Sequence, residues 1–217
     1  MTGEGTPPDN RSVVDTYDEI APHFASKRQH PWPEVEQFVE SASGETALDV
    51  GCANGRHTEL LAAIASRTIG LDASRKLLGE ARDRQKAHDF DADLLQGDAS
   101  RLPLQTSTVD VATYVATMHH FSSREVRVES LNELGRVLSP QGRALVSVWS
   151  TKHDRFEETA GFDTTVTFTL PDGTEVPRYY HIYDPAEFGA DLAASAALVE
   201  REWVSRGNCY AVIGGSA

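Results

Sequence analysis

From Thr46 to Gly142 short apolar runs alternate with amphipathic segments of helical spacing, and this alternation limits the possible folds more than any other feature. TALDVGC reads as a buried strand, GRHTELLAAIA as a helix, TIGLD as a strand, SRKLLGEARDRQ as a helix and ADLLQGD as a strand. VDVATYVA adds a strand, and SREVRVESLNELGRVL is a helix that leads into the strand RALVSVWS. Strands separated by helices of this length pair in parallel, because each helix carries the chain back across the sheet. Upstream, RSVVDTYDEIAPHFASKR has helical spacing with an interruption at Pro22, which predicts an N-terminal helical cap in two pieces. No internal repeat is visible.

After Ser150 the pattern changes. DTTVTFTLPDGTEVPRYYHI alternates with period two on either side of Pro171-Asp172-Gly173, which predicts a hairpin. A helix, PAEFGADLAASAAL, and two strands around EREWVSR and NCYAVIG follow, and the pair would close the sheet antiparallel. A parallel core with an antiparallel finish resembles the class I methyltransferases rather than a plain dinucleotide-binding domain. The expected fold is therefore α/β and Rossmann-like: a mostly parallel seven-stranded sheet of order 3-2-1-4-5-7-6, helices on both faces, and a hairpin insertion after the fifth strand. A length of 217 residues at 40% hydrophobic content suits one domain. We expect it to span residues 11–217, with a substrate-side insertion at 151–183, after a disordered lead-in at 1–10 that is rich in Gly, Pro and polar residues.

Charge narrows the function classes. The net charge is -13, and the twenty basic residues are sixteen Arg and four Lys (Lys27, Lys76, Lys86 and Lys152). An acidic, Lys-poor surface suits a protein of a salt-loving source, where repulsion is screened. It excludes a broad basic footprint for nucleic acid, so any RNA contact is a local pocket or is shared with a partner. Cys52 and Cys209 lack the spacing of a disulfide framework or a zinc site, and no bound metal is expected. No apolar run has the length of a membrane span and MTGEGTPPDN does not resemble a signal peptide, so the expected location is cytoplasmic.

The turn LDVGCANG follows the first core strand. Gly51 and Gly55 flank a tight connection into a helix, where glycine lets the backbone approach a ligand and the first helical N–H groups have no partner. The spacing differs from the dinucleotide GxGxxG, and Ala53 occupies the place of the middle glycine of the usual methyltransferase motif. Asp72 ends the next strand, seventeen residues past Gly55, where a carboxylate can accept both ribose hydroxyls of a nucleoside cofactor. Asp98 ends the third strand, suited to an adenine amino group. Either aspartate alone could be a helix cap; three strand ends in order imply S-adenosylmethionine. The contacts assigned to it are Tyr17, Asp49, Gly51, Ala53, Asn54, Gly55, Asp72, Ala73, Asp98, Ala99 and Val115.

A narrower resemblance covers Val13 to Val212. YDEIAPHFASKRQHPWPEVEQFV, TMHHFSSREVRVESLNELGRVLSPQGRALVSVW, PRYYHIY and RGNCYAV stand in the order found in the wobble-uridine tRNA carboxymethyl methyltransferases, which the chain resembles. HHFS followed by RYYH is the most specific part; Cys209 and Gln141 depart from the family, which tends to have Trp and Gly there. The resemblance implies methyl transfer from S-adenosylmethionine to the carboxylate of a 5-carboxymethyl group on the wobble uridine of a tRNA anticodon loop. It also implies a small zinc-binding activator, for which the third strand, near Ala92–Gly97, would be the sheet edge open to strand addition.

A carboxylate is already a nucleophile near neutral pH, so such a site needs cationic and N–H groups that orient it rather than a general base. Arg28, His119, His120, Arg178, Tyr179 and His181 are the candidates. One of His119 and His120 is structural, without a sequence signal for which. Arg178 and His181 either grip substrate or anchor the hairpin, and Tyr179 and Tyr180 between them offer a stacking face for a base. Arg28 and Trp32 serve either the substrate or the cofactor end, and Tyr17 closes over the methionine end or packs in the core. Two other functions share these features: a small-molecule carboxyl, O- or N-methyltransferase, and a cofactor-binding scaffold without catalysis.

Overall fold

The computed structural model describes residues 10–215. Of the expected lead-in at 1–10, residues 1–9 lie outside the described residues, and Asn10 is instead the first residue of a helix. In chain order the elements are α1 (Asn10–Lys27), α2 (Pro33–Glu40), β1 (Gly44–Val50), α3 (Arg56–Ala62), β2 (Ala65–Asp72), α4 (Arg75–His88), β3 (Asp93–Gln96) and β4 (Val109–Val115). A 3-10 turn (Met118–His120), α5 (Arg124–Val137), β5 (Leu138–Trp149), β6 (Phe162–Thr169), β7 (Glu175–Ile182), α6 (Pro185–Ala194), β8 (Leu198–Ser205) and β9 (Asn208–Gly214) complete it.

The main sheet runs β3-β2-β1-β4-β5-β9-β8. The pairs from β3 to β5 are parallel, and β9 lies antiparallel between β5 and β8. With the hairpin strands left out of the count this is the expected 3-2-1-4-5-7-6 order. Alternation along each strand feeds two apolar layers. Leu48, Val50, Ala112, Tyr114, Ala144, Val146 and Val148 face α5 and α6, where Leu131, Leu134, Phe188 and Leu192 cover them. Ala47, Val111, Val115, Leu145 and Val212 face the opposite layer of Val35, Phe38 and Leu61 from α2 and α3. A sheet apolar on both faces must be covered on both, which is why its strands read as continuous hydrophobic runs.

The N-terminal segment corrects one expectation. α1 is a single helix with Pro22 inside it, not two pieces. Ile20, Ala21 and Ala25 are buried while Pro22 is exposed, so the carbonyl that loses its partner is on the hydratable side and packing holds the helix together. The hairpin β6–β7 forms its own two-stranded sheet, turning at Gly173 (φ 87°) and packing on α1 through Phe168, 5.5 Å from the His23 ring. β8 and β9 join through Arg206 (φ 48°) and Gly207 (φ 76°), the left-handed pair of a tight antiparallel turn.

Candidate active site

At the end of β1 the backbone turns through three left-handed residues, Gly51 (φ 71°), Ala53 (φ 48°) and Gly55 (φ 78°). The N–H groups of Gly51 and Cys52 both donate to the Leu71 carbonyl of β2, at 2.7 and 2.9 Å. A β-carbon at Gly51 would collide with the Thr117 side chain, so only glycine fits there. Ala53 holds a strained conformation because its N–H donates to Asp72 Oδ2 at 2.8 Å; Ser74 N–H donates to Oδ1 at 2.8 Å. Burial pushes the Asp72 carboxyl up to about 6, against the pull of those two N–H groups, with Asp49 and Asp18 adding to the rise.

These residues line a cavity at the carboxyl ends of β1, β2 and β4, where ligands bind in open α/β sheets. Tyr17, Gly51, Ala53, Asn54, Asp72, Ala73, Asp98, Ala99 and Val115 reach its wall. Asp49 and Gly55, expected as cofactor contacts, stand behind it. Asp49 is 1% exposed and accepts the hydroxyls of Thr58 (2.7 Å) and Thr113 (2.8 Å), so it ties β1 to α3 and β4, and its burial raises its carboxyl. Gly55 is the left-handed cap of α3, packed on Ala81. Asp98 is exposed at the rim, with Oδ1 accepting from the N–H and hydroxyl of Ser100 at 2.8 Å each.

The two histidines after β4 take different places. His119 is fully buried; its Nδ1 accepts from the Trp149 N–H at 3.1 Å, and burial with nearby His120 and Arg178 holds it neutral. Its expected contact with substrate is therefore corrected: it joins the 3-10 turn to β5. His120 lines the cavity, and burial pushes it down to about 4, so it too is neutral near pH 7. The Tyr179 carbonyl lies 2.9 Å from His120 Nδ1 and can only accept, so Nδ1 carries the proton. Nε2 is then the acceptor for the Tyr17 hydroxyl at 2.9 Å. Tyr17, whose hydroxyl donates a hydrogen bond to His120, accepts from Arg178 Nη1 and the Tyr180 hydroxyl, each at 3.4 Å.

The alternation of β7 splits the RYYH segment between two faces. Arg178 and Tyr180 turn toward α1 and the 3-10 turn. Arg178 is 5% exposed, with its guanidinium carbon 5.2 Å from the ring centres of Phe168 and Tyr180 and 6.0 Å from that of Tyr17. It forms no ion pair among the described residues, and its Nε has no hydrogen-bond partner. Tyr179 and His181 turn away. The Tyr179 hydroxyl donates to Asp163 Oδ1 at 2.8 Å, and His181 lies between Asp163 Oδ1 (2.7 Å) and Glu187 Oε1 (2.8 Å). The expectation of Tyr179 and His181 at the substrate beside Arg178 is corrected, because alternation puts them on the face opposite Arg178 and Tyr180.

Arg28 is not on the cavity wall either; its guanidinium lies 5.5 Å from the Phe24 ring, and its carbonyl accepts from Asn54 Nδ2 at 2.9 Å. Arg56 and His57, which sequence reasoning passed over, do line the cavity. Arg56 lies 5.7 Å from the Trp32 ring, and burial with the Arg28 and Arg84 charges pushes it down to about 10. His57 is 6% exposed, kept neutral by burial, with Nε2 unpartnered. The available signal was position: both open the helix that follows Gly55. Asn54 also leaves Oδ1 without a partner. Among the described residues no cluster of His, Cys, Asp and Glu could hold a metal, and no helix is long and apolar enough to cross a membrane.

Residues 48–146 match a methyltransferase domain family. A mouse tRNA (carboxymethyluridine(34)-5-O)-methyltransferase, ALKBH8, is 37% identical over 67% of this chain and 21% of its own length. The Saccharomyces cerevisiae protein of the same description is 34% identical over 76% of the chain and 59% of its length, and that of Schizosaccharomyces pombe is 27% identical over 94% and 96%. The chain thus spans from about a fifth to about a third of the first curated relatives it matches. A solved S-adenosylmethionine-dependent methyltransferase from Clostridium acetobutylicum shares the fold at TM-score 0.73 and 13% identity, covering 95% of this chain and 99% of its own. So does a putative methyltransferase solved in complex with the Haloferax volcanii Trm112 activator, at TM-score 0.71, 17% identity and coverage of 94% and 98%.

The sheet order, the glycine turn and the acidic strand ends, together with the matched domain, define a class I S-adenosylmethionine-dependent methyltransferase. Within that class the chain is similar to the tRNA carboxymethyluridine methyltransferases, over part of the length of those at 30% identity or more. The cavity fits the cofactor: a left-handed turn without side-chain bulk at Gly51, a carboxylate at the end of β2 and a second at the end of β3.

Proposed function

We propose that this domain methylates the carboxylate of a 5-carboxymethyl-type uridine at the wobble position of tRNA. The observation that carries this reading is Arg178: a guanidinium buried among three aromatic rings, without a carboxylate partner, off the cavity wall itself but 3.4 Å from the hydroxyl of Tyr17, which lines it. A buried cation left uncompensated is costly, and an arriving carboxylate removes that cost by taking two parallel hydrogen bonds. An amine or a neutral hydroxyl would not.

On this reading Gly51, Ala53, Asn54, Asp72, Ala73, Asp98, Ala99 and Val115 hold S-adenosylmethionine, which supplies a methyl group activated on sulfur. Asp72 accepts the ribose hydroxyls with the lone pairs its two backbone donors leave, and Asp98 accepts from the adenine amino group. Arg56 and the unpartnered Asn54 Oδ1 and His57 Nε2 suit the charged amino-acid end. Gly55 and Asp49 act from behind, by shaping the turn and fixing β1. Arg178 orients the attacking carboxylate oxygen, Tyr17 and His120 line the approach, and no side chain has to remove a proton because the carboxylate is ionised already. Alignment of this kind contributes several kcal/mol, up to roughly 7–11 in the best intramolecular models. Arg28 stands outside the cavity, suited to the RNA strand.

A protein partner belongs to the proposal. β3 is one edge of the sheet, four residues long, with Leu94 and Leu95 half-buried, and an open edge of this kind accepts an added strand. A small zinc-binding activator there would also bring RNA-binding surface that a chain of net charge -13 lacks.

The α1 roof, with Val13, Val14, Tyr17 and Phe24 over the cavity, favours a second reading, a methyltransferase for a small carboxylate enclosed beneath it. Labelled S-adenosylmethionine, total tRNA lacking the modification and a candidate activator separate the two. A base-labile methyl label on a wobble uridine derivative supports the tRNA reading. No label in tRNA, with label in a metabolite extract, supports the second.

A further inference from the structure

We propose that His181, clamped between Asp163 and Glu187 on the outer face of the hairpin, is a positioning residue that sets the tautomer and place of His120 at the cavity. The inference rests on the methyl-transfer reading for its consequence but not for its structural test.

His120 is held from two directions. From β7, the Tyr179 carbonyl takes the proton of Nδ1 and so leaves Nε2 bare for the Tyr17 hydroxyl. From the other side, Arg127 Nη1 donates to the carbonyls of Phe121 (3.2 Å) and Ser122 (3.4 Å), the two residues that follow His120. Both holds meet at Glu187 of α6. Glu187 Oε1 lies 2.8 Å from His181 Nε2 and 3.5 Å from Arg127 Nη2. Arg127 is further fixed by Asp191 Oδ2 at 3.7 Å, and it lies 5.3 Å from the Tyr183 ring. On β6, Asp163 is the direct cross-strand partner of His181 and also accepts from the Tyr179 hydroxyl, so it pins both outward-facing residues of the segment.

The geometry therefore has one function for the outward face of β7 and another for the inward face. Tyr179 carries both: its hydroxyl belongs to the clamp and its carbonyl to His120. A shift of β7 along β6, or a tilt away from α6, moves that carbonyl. The proton on Nδ1 then loses its acceptor, and nothing keeps Nε2 free for Tyr17, since the ring nitrogen that carries the proton is chosen by the hydrogen bond of the other. Arg127 and His181 are buried at 3% and 7% exposure, and Asp191 is fully buried. That is a heavy investment of polar groups for a hairpin that Val166, Tyr180 and Ile182 already anchor by packing.

The test reads His120 directly, by ring-nitrogen NMR of the full chain labelled at histidine, with His120→Gln identifying its signals among eight histidines. The unaltered protein is expected to show Nδ1 protonated and Nε2 as an acceptor. In His181→Ala, and more mildly in Asp163→Ala at the exposed end of the clamp, the other tautomer is expected to appear, with cofactor affinity unchanged. Methyl transfer should fall about tenfold through kcat, the scale on which groups that orient a functional histidine act. Glu187→Gln keeps an acceptor for His181 and should retain most of the rate. A single unchanged tautomer in both alanine variants, with cofactor still bound, overturns the proposal. A changed tautomer in a protein that methylates no tRNA leaves it standing and counts against the tRNA reading alone.

Discussion

Arg178 and Asp72 are charged groups placed where burial penalises charge, and each gives a measurable consequence. For Asp72, a carboxyl pushed up to about 6 is protonated below that pH and ionised above it. If ribose binding needs the ionised form, cofactor affinity should be level above about pH 7 and weaken toward tenfold per unit below pH 6, as titration calorimetry would read. A flat profile down to pH 5 would contradict the role. For Arg178, replacing the unpaired cation by a side chain of similar reach removes a desolvation penalty. Arg178→Met should therefore abolish carboxylate methylation while keeping cofactor affinity and leaving Tm no lower, a trade of activity for stability. A drop of several degrees, measured by calorimetry, would make Arg178 a structural residue.

At the scale of elements, α1 and the hairpin enclose the cavity between them, and two short connections hold α1 in place. Asp18 Oδ1 accepts from Ser74 Oγ at 2.5 Å and from Lys76 N–H at 3.0 Å, so a side chain of α1 caps α4. Asn54 Nδ2 reaches the carbonyls of Ala25 (3.3 Å) and Arg28 (2.9 Å) at the other end of α1. Asp18→Ala should cost about 1 kcal/mol and speed hydrogen exchange across α1 more than across β1 or β4. Equal acceleration everywhere would mean that α1 unfolds only with the whole domain. The existence of these elements was legible in the sequence, Pro22 excepted, because hydrophobic period and turn residues are local signals. The enclosure was not: α1 and β7 meet through Tyr17 and Arg178, 161 residues apart.

For the molecule as a whole, buried histidines set the acid limit. His57, His119 and His120 are all held below their ordinary range by burial, so the folded state takes up fewer protons than the unfolded chain as pH falls below about 6.5. Each costs up to about 1.4 kcal/mol per pH unit in that window. Asp72 and Asp49, raised by burial, act in the opposite sense, since the folded state protonates them first. The carboxyls of Glu59, Asp110 and Glu133, held low by their hydrogen bonds, act in the same sense as the histidines, so stability should fall as pH drops from about 6.5 toward 4. Denaturant titrations at several pH values would detect it, and His119→Gln should flatten the slope. Stability that rises over that interval would show that Asp72 and Asp49 win.

By itself the sequence determined the succession of strands and helices, the glycine turn and the acidic residues at the end of β2 and just after β3, while the sheet order came from the resemblance to class I methyltransferases. Each of the former is written within a dozen or so neighbouring residues, where strand alternation, helical spacing and glycine chemistry act. Tertiary structure alone decided that His120 rather than His119 meets the cavity, that Asp49 spends its oxygens on Thr58 and Thr113, and that Arg56 and His57 join the wall. The physical reason is that burial and hydrogen-bond partners come from distant segments: His120 owes its tautomer to Tyr179, 59 residues on, and its partner Tyr17 lies 103 residues back. Sequence reasoning took Arg178 and His181 together, although a spacing of three on a strand puts them on opposite faces; the docking of the hairpin on α1 decided which of them turns inward.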